Sequence, residues 1–130
     1  SKGWKEFERN GITVNAAFVR HGGRQNYGVH NFIYLVDIGG QHILHIGDSE
    51  MDENHFVNLG LPEKSVDVAL VPYWFMAYPP GQQIIEKYIK PDKLIGIHYP
   101  RVGDPKSLQM IREKFPNAVI FMKSGEKVDL

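Results

Sequence analysis

The 130-residue sequence contains no cysteine. That excludes a disulfide framework and any thiolate metal site. A metal bound here must be held by imidazole, carboxylate or water, a donor set that suits zinc first, then manganese or iron. No apolar run approaches the roughly 18 residues of a bilayer-spanning helix, so no membrane partner is expected. Charge of one sign is missing as well: fifteen basic and fifteen acidic residues give a formal net charge of +0. Without a long-range positive field, no nucleic-acid partner is expected. The nucleophile-elbow pattern G-x-S-x-G, the P-loop and G-x-G-x-x-G are all absent. The chain starts at Ser1-Lys2-Gly3-Trp4 without Met or a signal pattern, which reads as a trimmed start, and the lack of cysteine and of a signal favours the cytoplasm.

The composition, 42% hydrophobic and 23% charged, fits a single globular domain over residues 1–130 with a modest core. Alternation of Ile12, Val14, Ala16 and Phe18 with Thr13, Asn15 and Ala17 predicts a strand over Gly11 to Val19. The run Phe32-Ile33-Tyr34-Leu35-Val36 predicts a strand covered on both faces, Asn31 to Ile38. Gly39-Gly40 then turns it into a partner, Gln41 to Ile46. A short helix is expected after Asp48, capped by Ser49 or Asp52 and stopped by Gly60. Ser65 to Val71 is a buried strand. The face Ile84, Ile85, Tyr88 and Ile89 predicts a helix over Gln82 to Lys90. Lys93 to Ile97 is a further strand. Asp104 and Pro105 have the chemistry of N-cap and N1 for a third helix presenting Leu108, Ile111 and Phe115. Ala118 to Met122 closes the series. The order β, β-hairpin, α, β, α, β, α, β predicts an α/β (α+β) layer arrangement. Three helices can cover one large sheet face, and no strands remain to build a second layer over the other.

Three turns carry the candidate chemistry, each at the exit of an apolar strand: Arg20-His21-Gly22-Gly23, Ile46-Gly47-Asp48-Ser49 and Ile97-His98-Tyr99-Pro100. A lone loop histidine is usually solvated, a lone aspartate in a turn is usually a cap, and a lone histidine ending a strand usually bonds to backbone. Recurrence of all three at strand exits favours metal ligands on loops held by a rigid sheet. Their wide spacing requires a tertiary fold to bring them together. His42 and His45 fall on opposite faces of a strand and cannot chelate locally. His55 reads as an exposed helix residue. Arg24, His30 and Tyr99 are weaker candidates for contacts to ligands or substrate. Gly22-Gly23-Arg24 opens no helix, so it is a poor anion loop. The aromatics Tyr73-Trp74-Phe75 with Tyr78 read first as core or interface and second as an apolar wall near the site.

In this order the residues resemble the C-terminal half of the metallo-β-lactamase-fold hydrolases, in a branch similar to the ascorbate-6-phosphate lactonases. The matching stretches are Ile12-Thr13-Val14 leading to Arg20-His21-Gly22-Gly23-Arg24, His42-Ile43-Leu44-His45-Ile46-Gly47-Asp48-Ser49, Val66-Asp67-Val68-Ala69-Leu70-Val71-Pro72, and Leu94-Ile95-Gly96-Ile97-His98-Tyr99. The resemblance implies half of an αββα sandwich with a one- or two-metal site at the edge between two sheets. It implies that His21 binds the first metal, that Asp48 bridges both and that His98 binds the second. Asp48 and His98 would serve catalysis, with metal-bound hydroxide attacking an ester, phosphoester, lactone or amide in a small-molecule substrate. One or two zinc ions are expected, with manganese as the substitute.

The family's first ligand cluster, H-x-H-x-D-H, is absent from the chain. The chain is thus expected to be a fragment whose open sheet face meets the missing N-terminal half or a second copy of itself. Two rival readings are a non-catalytic α/β assembly module and an inactive fragment.

Overall fold

The computed structural model describes residues 3–130. A sheet of seven strands runs in sequence order: β1 (Trp4–Arg9), β2 (Ile12–Phe18), β3 (Phe32–Ile38), β4 (Gln41–His45), β5 (Val68–Pro72), β6 (Lys93–Ile97) and β7 (Val119–Ile120). The first three pairings are antiparallel and the last three parallel. The antiparallel pairs β1–β2 and β3–β4 turn through Asn10-Gly11 and Gly39-Gly40. All four of these turn residues have positive φ, as a right-twisting two-residue hairpin requires.

Three helices accompany the sheet: α1 (Tyr73–Ala77), α2 (Pro79–Ile84), which runs on into a π-turn over Ile85–Ile89, and α3 (Pro105–Lys114). They bury Phe75, Met76, Ile84, Ile89 and Ile111 against one face of the sheet, where Ala17, Ile33, Leu35, Leu44, Ala69 and Val71 form the core. Asp104 caps α3, its carboxylate accepting from the Ser107 amide at 3.1 Å, and Pro105 stands at the first helical position. Both are as the sequence predicts.

Four elements differ from the sequence reading. β1 was not expected, because WKEFER mixes aromatic and charged residues on both registers. It is held by its hairpin to β2 and by the Trp4 indole N–H, which donates to the Leu59 carbonyl at 2.8 Å. The helix expected after Asp48 is a single 3-10 turn, Glu53–His55, capped by Asp52. Phe56, Leu59 and Leu61 leave it as buried plugs rather than one helical stripe. Tyr73–Ala77 is helical where the aromatic run suggested none. Finally, Pro79 and Pro80 open α2 rather than precede it, since the first helical turn needs no backbone donor there.

The other face of the sheet is bare over β1 to β3. The register places Phe7, Ile12, Phe18, Phe32, Tyr34 and Ile38 on it together, and all six are exposed, Phe7 at 61% and Phe18 at 56%. The parallel end of that face is covered. Val68 and Ile95 are buried there, and Lys93 Nζ donates to the Asp129 carbonyl of the C-terminal tail at 2.7 Å. No second sheet layer lies over this face among the described residues.

Candidate metal centre

β2, β4, β5 and β6 all run in one direction, so the turns that follow them emerge at one edge of the sheet. His21 follows β2, Asp48 follows β4, Tyr73 and Trp74 follow β5, and His98 follows β6. Three positions far apart in sequence therefore converge at that edge, and local pattern alone could not have brought them together.

The two turns nearest the sheet centre, those of His21 and Asp48, are tied to each other. His21 and Ser49 form an antiparallel bridge. The Gly22 amide donates to the Asp48 carbonyl and the Glu50 amide to the Arg20 carbonyl, each at 2.8 Å. Beneath them lies Asn31, a buried side chain. Its Nδ2 donates to the Val19 carbonyl and to Ser49 Oγ, and its Oδ1 accepts from the Asp48 amide, all at 3.0 Å. Gly47 has φ 58°, and a Cβ there would stand 2.5 Å from Asn31 Oδ1. Only glycine allows both the left-handed turn and so close an approach.

The side chains of His21, Asp48 and His98 meet. His21 Nε2 lies 3.5 Å from Asp48 Oδ2, and His98 Nε2 lies 3.6 Å from Asp48 Oδ1. One carboxylate thus offers a different oxygen to each imidazole. His21 Nδ1 lies 2.7 Å from the Gly22 carbonyl, which can only accept, so Nδ1 carries the proton. In the neutral ring, Nε2 then turns a lone pair toward a carboxylate oxygen. Two acceptors facing each other repel unless a cation or a proton lies between them. The donor set therefore fits a divalent cation in a mixed nitrogen and oxygen site. His98 has φ 65°, a conformation that non-glycine residues rarely adopt and that recurs at functional sites. Exposure of the side chain rises from 19% at His21 to 38% at Asp48 and 58% at His98, so the cluster opens outward at His98. A cavity of about 570 Å³ lies over it, walled by Met51 and Trp74.

The aromatic run divides. Phe75 and Met76 are core, whereas Trp74 stacks edge-on against His98 with ring centroids 5.1 Å apart and Tyr73 packs on Trp74 and Tyr99. Of the weaker candidates, Arg24 is exposed on the turn Arg24–Asn26, outside the residues that line the cavity. His30 packs its ring edge against Phe18 on the open face. Tyr99 Oη accepts from the Asp104 amide at 2.8 Å and anchors the loop into α3. Asn31 and Trp74 are the residues that sequence reasoning undervalued. A polar residue directly before a strongly apolar strand was the available signal for Asn31.

A second cluster, Glu50, Asp52 and His55, has ligand atoms within 4.8 Å of one another. Its groups are already engaged. Glu50 accepts from Tyr27 Oη and lies 2.9 Å from His55 Nε2, and Asp52 accepts from the Asn54 amide at 2.9 Å. The Tyr27 hydroxyl and then His55 hold the Glu50 carboxyl below its ordinary pKa. On the open face, the Gly47 amide donates to His45 Nδ1 at 3.0 Å. Partial desolvation holds the His45 pKa below its ordinary value, against the opposing pull of Asp48.

No protein-family profile and no curated protein sequence matches the chain. Solved structures do. The metallo-β-lactamase fold protein YhfI from Bacillus subtilis superposes with a TM-score of 0.59 at 14% identity, over 94% of this chain and 51% of that one. A metallo-β-lactamase superfamily protein from Thermotoga maritima, provisionally assigned as a zinc-dependent hydrolase, superposes with a TM-score of 0.52 at 17% identity, over 74% of this chain and 46% of that one. The chain has the metallo-β-lactamase fold, and it spans about half the length of these structures.

Proposed function

We propose that the chain is the C-terminal half of a metal-dependent hydrolase, with His21, Asp48 and His98 as its contribution to a one- or two-metal centre. One observation carries this reading: the Asp48 carboxylate stands between two imidazoles, one oxygen toward each. A single cation needs its donors gathered about one point, whereas donors paired off on two oxygens suit a bridging carboxylate. Zinc is the expected metal and manganese the substitute. When bound, such cations supply polarisation of the scissile group and acidification of water.

The chain's own residues do the rest of the work on this side. His21 presents Nε2 in a tautomer fixed by the Gly22 carbonyl. Asp48 supplies negative charge to offset the cations. His98, the most exposed of the three, lines the cavity together with Trp74 and Met51. The reading extends to an ester, phosphoester, lactone or amide in a small molecule.

Donors divided between two cations leave each short of the three or four protein ligands that zinc takes, so in a two-metal centre the remaining ligands would come from an N-terminal half that docks on the open face. The register puts Lys5 and Arg9 on the bare part of that face and no carboxylate among the strand positions there. Two copies packed on one another would bring like charges together. A different, neutral or acidic half suits the face better. The isolated chain is therefore expected to bind zinc weakly.

Elemental analysis of the protein as purified, with its mass in solution, tests the reading. Metal near one equivalent or more in an assembly, lost with the hydrolase activity in His98→Ala, is the expected result. Micromolar zinc binding by the isolated chain would contradict the half-site. The exposed phenylalanines also favour a second reading, a non-catalytic assembly module. Such a module would associate equally well in the presence of a chelator.

A further inference from the structure

Beneath the candidate centre lies a buried polar support. Asn31 is 8% exposed and uses its whole carboxamide at the junction of the two ligand-bearing turns. Its two Nδ2 bonds hold the Val19 carbonyl, two residues before His21, and Ser49 Oγ, one residue after Asp48. Its Oδ1 holds the Asp48 amide itself. Ser49 is fully buried and passes the connection on, its hydroxyl donating to the Ile46 carbonyl. The glycine at 47 gives Oδ1 room to reach that amide.

We propose that Asn31 is the positioning residue of the centre: its carboxamide fixes the backbone of Asp48 relative to that of His21, and so places the bridging carboxylate before any cation arrives. This rests on the reading of His21, Asp48 and His98 as ligands. The geometry itself does not depend on that reading. Asn31 touches none of the three ligand side chains in the hydrogen bonds described, so it acts through Asp48. A carboxamide suits the task because it offers two donors and an acceptor in one plane without charge. A carboxylate or an aliphatic residue of the same size leaves at least two buried backbone or hydroxyl groups unpaired.

The test is nuclear magnetic resonance on the chain itself, with Asn31→Ala, the milder Ser49→Ala, and Lys93→Met as a control that loses a side-chain hydrogen bond to backbone at the start of β6, the end opposite His98. Without metal, hydrogen exchange at the Asp48 amide is expected to rise in Asn31→Ala, to rise less in Ser49→Ala, and to stay unchanged in Lys93→Met. With zinc titrated in, Asn31→Ala is expected to weaken the response of the His21, Asp48 and His98 resonances by about 10- to 100-fold in dissociation constant, and Lys93→Met not at all. Wild-type exchange at Asp48 in Asn31→Ala, or zinc affinity equal to wild type there while His98→Ala has lost it, overturns the positioning role. Zinc that moves none of the three ligand resonances in the wild type overturns the reading of the centre instead, and the exchange arm still decides whether Asn31 holds Asp48. Should Asn31→Ala not fold, Ser49→Ala carries both measurements with the same signs.

Discussion

The two faces of this sheet are built from the same strands and from similar residues, yet they have opposite fates. On β3, Ile33 and Leu35 are buried under the helices while Phe32 and Tyr34 stand exposed one position away. A strand that is apolar on alternate positions signals one buried face. A strand apolar on every position signals two, and here one of them is left uncovered by the described residues. Hydrophobicity thus states that a surface prefers burial and is silent on which polypeptide buries it. The candidate centre sits at the edge where the two faces end, so whatever covers the open face also stands beside His21, Asp48 and His98.

The sharpest way to break this comparison is to truncate one residue on each face. Leu44→Ala, on the covered face, should destabilise the chain by about 2–5 kcal/mol in urea unfolding, since the helices above it cannot collapse into the space. Gly47→Ala, at the edge where the faces meet, should come next. The left-handed conformation alone costs about 1–2 kcal/mol for a residue with a Cβ, and the contact with Asn31 adds to it. Phe32→Ala, on the open face, should change the stability of the isolated chain by no more than about 0.5 kcal/mol. It should instead weaken assembly with the complementary half, measured by sedimentation. Equal losses for Leu44→Ala and Phe32→Ala in the isolated chain would mean that the open face is already covered.

The smallest effects concern two histidines of opposite register. His42 donates toward the Ser65 carbonyl at 3.0 Å, and with Asp37 nearby its pKa is raised above 6.5. Its contribution to stability is complete below that value and fades as pH rises through the raised pKa. His45 is shifted the other way by desolvation. Its contribution is present above 6.5 and is lost as pH falls below it. His42→Gln should therefore flatten the alkaline side of the stability profile near neutrality and His45→Gln the acid side, read from thermal unfolding across pH 5 to 8.

Much of the sheet was legible in particular residues. The alternation over Ile12 to Phe18, the continuous run at Phe32, the Gly39-Gly40 turn and the Asp104-Pro105 cap each act through near neighbours and appear where expected. β1 escaped notice because its residues alternate poorly, although Asn10-Gly11 is a strong hairpin signal and would have revealed it. The segment after Asp48 had helix caps without a helical stripe to follow them, and the caps alone overstated it. At the site, His21, Asp48 and His98 could be named as strand-exit residues. That a carboxylate bridges two imidazoles, that Trp74 backs His98 and that Asn31 locks the turns could not be named in that way.

The sequence by itself determined what short-range physics determines: which segments are strands, where hairpins close, that no thiolate can bind metal, and that more apolar surface exists than the helices can cover. The tertiary structure decided the rest. Four strands running in one direction bring their exits to one edge, and that depends on the order and sense of the pairings, which are fixed by the packing of the whole sheet rather than by any local stretch. The identity of the open face was decided in the same way, because a register set by every pairing at once determines which alternate residues the helices reach and which they leave to another surface.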